Sequence, residues 1–320
     1  MINVCFSYDY ELLWGVWPFK GSRYVEKNVR HASDALASAL AQHQSAAIPA
    51  NVAIVGMLLD DSVPRDLIKH QSLTPNQRQK LEALIGQHGS EKDLWKISAW
   101  LRRSLAANPW VSLGSHSYSH IYALDASSTE LIQDFEKQNK TFNVTFGKTP
   151  DFLIMPKNQI TGSVIMLAKR FGIKSLRINP DCWLYNPAKK SIFIRLLRLL
   201  DAYFPILELI PTPKPHSEIV QLLEGRYFFR PAHHLAVIDA IHFVRLKIGY
   251  HYCRKSGRDF HLWTHPHNMG GNIARSRKNL RRIFAWLKTK EQMGELRFCR
   301  MDQAGSGSKC FKNRGLKQAM

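Results

Sequence analysis

The sequence predicts an α/β fold: a mostly parallel sheet, open or closed into a barrel, wrapped by helices. Three observations predict it. Short apolar runs alternate with longer segments of helical periodicity along the 320 residues, the pattern of repeated strand–helix units. Acidic, imidazole and lysine side chains fall just after those apolar runs, where the catalytic groups of a β/α barrel sit. The composition, 45% apolar and 22% charged, is that of a globular chain able to bury a substantial core.

In chain order, residues 2–8 read as a buried strand ending at Asp9-Tyr10-Glu11. Residues 27–42 place Val29, Ala32, Ala35, Leu36, Ala39 and Leu40 at helical spacing. A second strand covers 51–59. Residues 60–109 form a helical insertion with segments near 64–70, 75–88 and 91–107. A third strand, 111–114, leads into Gly114-Ser115-His116-Ser117-Tyr118-Ser119-His120. A helix over 128–146 opens on the capping-type residues Ser128-Thr129-Glu130.

A fourth strand at 151–155 runs into Pro156-Lys157-Asn158-Gln159, and a helix over 162–171 precedes a fifth strand at 174–178. The stretch 191–204 is an amphipathic helix in which Arg195 and Arg198 stand among Leu, Ile and Phe. Residues 205–215 are a Pro-punctuated surface loop. Helices at 235–253 and 276–290 flank a strand at 260–263, and 296–299 is a closing strand. That makes about seven strands in one domain over 1–302, with a basic, disordered tail over 303–320.

Lys and Arg number 45 against 25 Asp and Glu, a formal charge of +20. Such a balance favours an anionic partner. No nucleic-acid-binding module accompanies it, so nucleic acid is disfavoured as that partner. The N-terminus shows no signal-peptide pattern and no apolar run is long enough to span a bilayer. The five cysteines have no CxxC spacing and read as free thiols in a reducing compartment. The expected location is cytoplasmic. The basic, apolar stretch at 191–204 further suits peripheral contact with an anionic membrane at its inner face.

The reactive residues fit a metal-assisted hydrolase. His116 and His120 stand four apart; if the chain turns helically after Leu113, both imidazoles share a face and can grip one divalent ion. Asp9 and Glu11, two apart at a strand end, project to the same side, which is costly unless a cation or a proton lies between them. Glu11, His116 and His120 together would hold Zn²⁺ or a similar ion. Asp9 is then free as general base, and His265, from the far side of the barrel, as general acid.

Ser7-Tyr8-Asp9-Tyr10-Glu11, Gly114 to His120, Met155-Pro156-Lys157-Asn158-Gln159, Asp181-Cys182-Trp183 and Trp263-Thr264-His265-Pro266-His267-Asn268 occur in the order of the polysaccharide deacetylase motifs (NodB homology, carbohydrate esterase family 4). The chain resembles that family over residues 1–302. The resemblance implies a distorted (β/α) barrel of about seven parallel strands and a divalent-metal hydrolase that removes N-acyl or O-acyl groups from sugars. It implies Asp9 as base, His116 and His120 as ligands and His265 as acid. Glu11 becomes the third ligand through likeness to a subgroup with an Asp-x-Glu first motif.

Lys157 occupies the position of the family's third-motif arginine, keeping a catalytic-site charge but losing the bidentate fork that would orient Asp9. Trp14, Tyr118, Asn158, Trp183, His267 and Asn268 are the expected substrate contacts, Trp by stacking on sugar faces. The expected substrate is an N-acetylated or N-formylated amino sugar, nucleotide- or lipid-diphosphate-linked, in surface-polysaccharide or O-antigen assembly. The competing readings are a metal-free amidohydrolase of a small cyclic amide and an inactive barrel that binds carbohydrate or membrane.

Overall fold

The computed structural model describes residues 1–17, 22–61, 75–189, 191–230 and 235–304. The helix expected at 64–70 and the tail from 305 onward lie outside the described residues.

Nine strands, every pairing parallel, make one sheet: β1 (Ile2–Tyr10), β2 (Ala50–Ile54), β3 (Val111–Ser115), β4 (Leu153–Ile154), β5 (Ser175–Ile178), β6 (Gln221–Glu224), β7 (Tyr227–Phe228), β8 (Phe260–Thr264) and β9 (Leu296–Phe298). Their order is β6-β5-β4-β3-β2-β1-β8-β7, with β9 alongside the start of β1. β1 is central and buried through nearly its whole length, as expected of a parallel strand covered on both faces.

The sheet is curled into a half-barrel. β5 lies four strands from β1, about 19 Å away in a flat sheet at the usual spacing. Yet Arg177 of β5 donates from Nη1 to Asp9 Oδ1 of β1 at 2.9 Å. Only a sheet bent back on itself brings those two side chains together across its interior. The ladder is open between β6 and β7, where Gly225 and Arg226 join the two strands. Trp263 Nε1 of β8 spans that seam to the Gly225 carbonyl at 3.0 Å.

Eight helices of nine residues or more are described: α1 (Ala32–Ala46), α2 (Pro75–His88), α3 (Ala99–Ala107), α4 (Ser128–Phe146), α5 (Gly162–Arg170), α6 (Ile192–Asp201), α7 (Ala236–Ser256) and α8 (Ile273–Gln292). α1 and α8 cover β1: His43 of α1, Phe284 of α8 and Phe6 meet edge-on in the core. α4 starts from a capping box, Ser127 with Glu130, one residue before the expected start, and ends at left-handed Gly147.

Several expectations are corrected. Nine strands are found among the described residues where about seven were expected, since β6 and β7 are four and two residues long, too short to show alternation. The run at 51–59 leaves the sheet after Ile54 and closes as a 3₁₀ turn, Gly56–Leu58. The 91–107 segment is two helices, Lys92–Trp95 and α3, divided by extended Lys96 and Ser98. The helical turn expected across His116 and His120 is not formed, because Ser117 and His120 take left-handed backbone angles, φ 60° and 57°. Among the described residues, no helix is long and apolar enough to cross a membrane.

Candidate active site

The reactive residues converge at the C-terminal ends of β1, β3, β4, β5 and β8, in a cavity of about 340 Å³ lined by Asp9, Glu11, His116, His120, Lys157 and His265, among others. β1 delivers the carboxylates. Asp9 is its penultimate residue. Glu11 follows it just before a left-handed Leu12, φ 46°, so the chain reverses sharply and both acids reach the same space. Gly15 makes room for this: a Cβ there would lie 1.9 Å from the Glu11 carboxyl carbon. A side chain there would push the Glu11 carboxylate out of its place between the histidines.

The loop after β3 presents the imidazoles. Ser117 N–H donates to Ser115 Oγ, and Ile121 N–H to Ser117 Oγ. Buried Asp134 of α4 accepts from the backbone N–H of Tyr118 and from both the backbone and hydroxyl of Ser119, at 2.6–2.8 Å. This carboxylate satisfies the donors that a left-handed loop leaves exposed, and it folds His120 back until its ring centre lies 5.2 Å from that of His116. His120 and His116 place Nε2 3.1 and 3.3 Å from Glu11 Oε2. The Ile154 carbonyl accepts from His116 Nδ1 at 2.8 Å. A carbonyl can only accept, so Nδ1 carries the proton and the Nε2 lone pair faces Glu11.

The loop after β8 brings a second imidazole pair to the other oxygen of Glu11. His265 Nε2 is 3.6 Å from Glu11 Oε1 and 3.7 Å from Asp9 Oδ2. His267 Nδ1 is 3.8 Å from Glu11 Oε1, its ring stacked on His265. Asn268 orients this pair. Tyr24 O–H donates to Asn268 Oδ1 at 3.0 Å, which turns Asn268 Nδ2 toward His265 Nδ1 at 3.4 Å. An amide N–H facing Nδ1 favours the tautomer with the proton on Nε2, aimed into the cavity.

Arg177, which the sequence reading passed over, supplies the fork that Lys157 lacks. Its Nη1 and Nη2 donate to the two oxygens of Asp9 at 2.9 and 2.5 Å, and Nη1 also reaches Ser7 Oγ. Its Nε is held by Asn158 Oδ1, and its guanidinium lies over the Trp263 ring. Lys157 instead sets its ammonium 3.6 Å above the Tyr122 ring, on a left-handed backbone of φ 56°. The signal in the sequence was an arginine inside a strand pattern, Ser175-Leu176-Arg177-Ile178, on the same face as a small residue.

Burial alone would raise the carboxyl pKa of Asp9. The charge of Arg177, then those of His116 and His265, outweigh it and hold the group below its ordinary value. Burial of Glu11 is likewise outweighed, by the charge of His265 and the close approach of His116 and His120, and its pKa falls well below normal. His120 goes the other way: burial lowers it, against the pull of Glu11. Both carboxylates of the site are therefore held in the ionised form.

Of the expected substrate contacts, Asn158, His267 and Asn268 line the cavity, although the Asn158 amide is committed to Arg177 and Asn179. Three others are corrected. Trp14 is fully buried, its Nε1 bonded to the Trp95 carbonyl and its ring edge-on to Trp95. Tyr118 is turned into the core, where its hydroxyl donates to Asp60 at 2.6 Å. Trp183 is on the surface and lines neither this cavity nor its neighbour. Trp263 is the tryptophan that faces the site.

The donors fit a divalent ion. Glu11 with His116 and His120 is a group whose ligand atoms converge. Separations of 3.1–3.3 Å from one carboxylate oxygen to two imidazole nitrogens match the roughly 3.3 Å edge of a tetrahedron with zinc-like bond lengths. The lone pair of His116 faces a carboxylate, an arrangement that a shared cation stabilises, and the Ile154 carbonyl behind the ring supplies the usual orienting partner. Glu11 with His265 and His267 forms a second such group, with longer separations.

The polysaccharide deacetylase family profile matches residues 82–176, a span that includes His116, His120 and Lys157 but not Asp9, Glu11 or His265. Among solved structures, the chain is similar to a protein assigned as a polysaccharide deacetylase from Mycobacterium smegmatis: 11% identity, 94% of this chain and 87% of that one, TM-score 0.54. A second, assigned as a polysaccharide deacetylase from Pseudomonas aeruginosa, has 12% identity, covers 95% and 89%, and gives a TM-score of 0.52. A third is the PuuE allantoinase, with 13% identity, 93% and 87% coverage, and a TM-score of 0.51. At such identities the likeness is one of fold. No curated protein matches the sequence.

Proposed function

Taking the chain as a polysaccharide deacetylase-like hydrolase of carbon–nitrogen bonds, we propose that it removes an acetyl or formyl group from the nitrogen of an amino sugar with the help of a divalent ion, zinc being the best fit. One observation carries the reading: Glu11 Oε2 lies between His116 Nε2 and His120 Nε2, while Arg177-locked Asp9 and His265 face the same cavity. When bound by Glu11, His116 and His120, the ion would supply a Lewis acid for the acyl carbonyl.

The chain's own residues do the rest. Arg177 fixes Asp9 in orientation and keeps it ionised, ready to take a proton from the attacking water. The water oxygen bonds to the acyl carbon as the C–N bond breaks. His265, with Nε2–H aimed into the cavity, gives its proton to the departing nitrogen. The products are the free amine and the carboxylic acid.

The proposal extends to setting. α6 leaves Ile192, Phe193 and Leu196 exposed beside Lys189, Arg195 and Arg198, which supports peripheral contact with an anionic bilayer. The reaction would then serve surface-polysaccharide or O-antigen assembly on the cytoplasmic side. Co-sedimentation with anionic but not neutral vesicles tests that contact.

The main test couples metal analysis of the purified protein to mass-spectrometric detection of acyl loss from N-acetylated and N-formylated amino sugars. Acyl loss that disappears with chelation and returns with Zn²⁺ is expected. Full activity on a cyclic amide by metal-free protein would overturn the proposal, as would the absence of acyl loss from every amino sugar.

A further inference from the structure

A second cavity, of about 640 Å³, adjoins the first and shares Phe228, Trp263 and His265 with it. Five arginines line it: Arg195, Arg198, Arg226, Arg230 and Arg245; Asp201 is the one carboxylate among its lining residues. Their existing partners separate them. Arg245 is bridged to Asp201 and Glu208, and Arg198 donates to the carbonyls of Leu184 and Asn186. These two are structural.

Arg226 is different. It is 2% exposed, yet it shares a single carboxylate oxygen, Glu224 Oε2, with Arg258. Its Nε and Nη2, and the Nε of Arg230, are buried without a hydrogen-bond partner among the described residues. The rings of Tyr252, Tyr203 and Phe228 lie against these two guanidiniums, and Arg230 also donates a hydrogen bond to the Tyr203 hydroxyl. Arg195 stands exposed on α6 at the cavity. Among the described residues, the carboxylates ion-paired to Arg195, Arg198, Arg226, Arg230, Arg245 and Arg258 are Asp201, Glu208 and Glu224.

A buried guanidinium with free donors and surplus positive charge is complementary to a multiply charged oxyanion, which accepts several charge-assisted bonds at once. We propose that this cavity is a phosphate subsite and that the substrate is an acylated amino sugar carrying a phosphate or diphosphate on the ring. The inference rests on the deacylase reading of the first cavity and narrows it. The acyl group lies among Asp9, Glu11, His116 and His120, and the sugar passes His265. The phosphate meets Arg226, Arg230 and Arg195. A nucleotide diphosphate and a lipid diphosphate present the same group.

The test compares kcat/KM on a neutral N-acetylated methyl glycoside, its uronate, its 1-phosphate, and its nucleotide-diphosphate and lipid-diphosphate forms. A preference of tenfold or more for phosphate-bearing forms over both phosphate-free ones is expected. It should shrink by at least tenfold in the double variant Arg195→Gln/Arg230→Gln, and in Arg226→Lys. Whichever diphosphate form is preferred identifies the source. No preference for phosphate, a preference for the uronate, or a preference that both variants retain overturns the subsite.

Calorimetry with inorganic pyrophosphate reads the subsite without turnover, so it decides the matter even if no sugar is deacylated. Binding should weaken at least tenfold in Arg195→Gln/Arg230→Gln and persist in His116→Ala. The reverse pattern would place the anion on the histidines and overturn the proposal.

Discussion

Two imidazole pairs face the two oxygens of Glu11, and they are built differently. On the Oε2 side, His116 and His120 approach to 3.3 and 3.1 Å and are nearly sealed from solvent. The Ile154 carbonyl fixes the tautomer of His116 and Asp134 fixes the loop that carries His120. On the Oε1 side, His265 and His267 stand at 3.6 and 3.8 Å; the His265 side chain is 23% exposed, whereas His267 is as buried as His120. There the orienting contact is a 3.4 Å one from Asn268. Tight, dry and doubly fixed donors suit a resident ion; looser, solvent-facing imidazole suits a group that must exchange protons.

The sharpest way to break this comparison is to remove one histidine from each side. His116→Ala should abolish stoichiometric metal and lower turnover by about a thousandfold or more. His267→Ala should keep its metal and lose far less activity. Metal content after gel filtration reads the difference directly. If His267→Ala loses the ion and His116→Ala keeps it, the assignment of the two sides is reversed.

A smaller effect is expected where a residue only moves protons. His265→Gln should retain metal while kcat falls by roughly 10²–10³-fold, the usual contribution of a positioned acid. The loss should be least for substrates with a good leaving group, which need no protonation. A uniform loss across leaving groups would remove His265 from that role. Smaller again is the cost of the fork on Asp9. Arg177→Lys keeps the charge but not the two parallel bonds, so kcat should drop by about 10–100-fold. Lys157→Ala should cost a few-fold at most, because Asp9 is already held from β5. Equal losses in the two variants would restore position 157 to the place the motif resemblance gave it.

What was legible in the sequence follows from how each residue is held. Asp9, Glu11, His116, His120 and His265 sit within a few residues of strand ends, in motifs whose local order survives folding, and all five meet in one cavity. Arg177 and Asp134 act across the fold, and Gly15 acts on Glu11 through the turn that follows β1. Arg177 reaches β1 only because the sheet curls, Asp134 reaches back from α4, and Gly15 matters only for what a side chain would strike. Local pattern marks such residues weakly, as the arginine inside the β5 strand pattern does. The tryptophans erred in the opposite direction: Trp14 is near the motif in sequence, but the Trp95 carbonyl and ring draw it inward. The arginine cavity drew on β7, α6 and α7, of which the short strand β7 could not be read at all.

The same contrast between fixed and titrating imidazole extends beneath the site and gives the last prediction. His43 accepts from the Tyr8 hydroxyl at Nε2 and donates from Nδ1 to the Ile48 carbonyl, at 2.8 and 3.1 Å. His261 lies behind Ser7, 2.8 Å from its Oγ. Burial lowers both, in His261 together with the charge of Arg177, to about 3 from 6.5. Both are thus neutral when folded and protonate on unfolding anywhere between those values, so the unfolded chain binds more protons there and stability is lost as pH falls below 6.5. Each contributes up to about 1.4 kcal/mol per pH unit. Urea midpoints at pH 7 and pH 5 should therefore differ clearly, and His43→Gln, which keeps a donor and an acceptor, should remove about half of the histidine-linked difference. A midpoint difference that His43→Gln leaves intact would mean that His43 is not neutral in the folded chain.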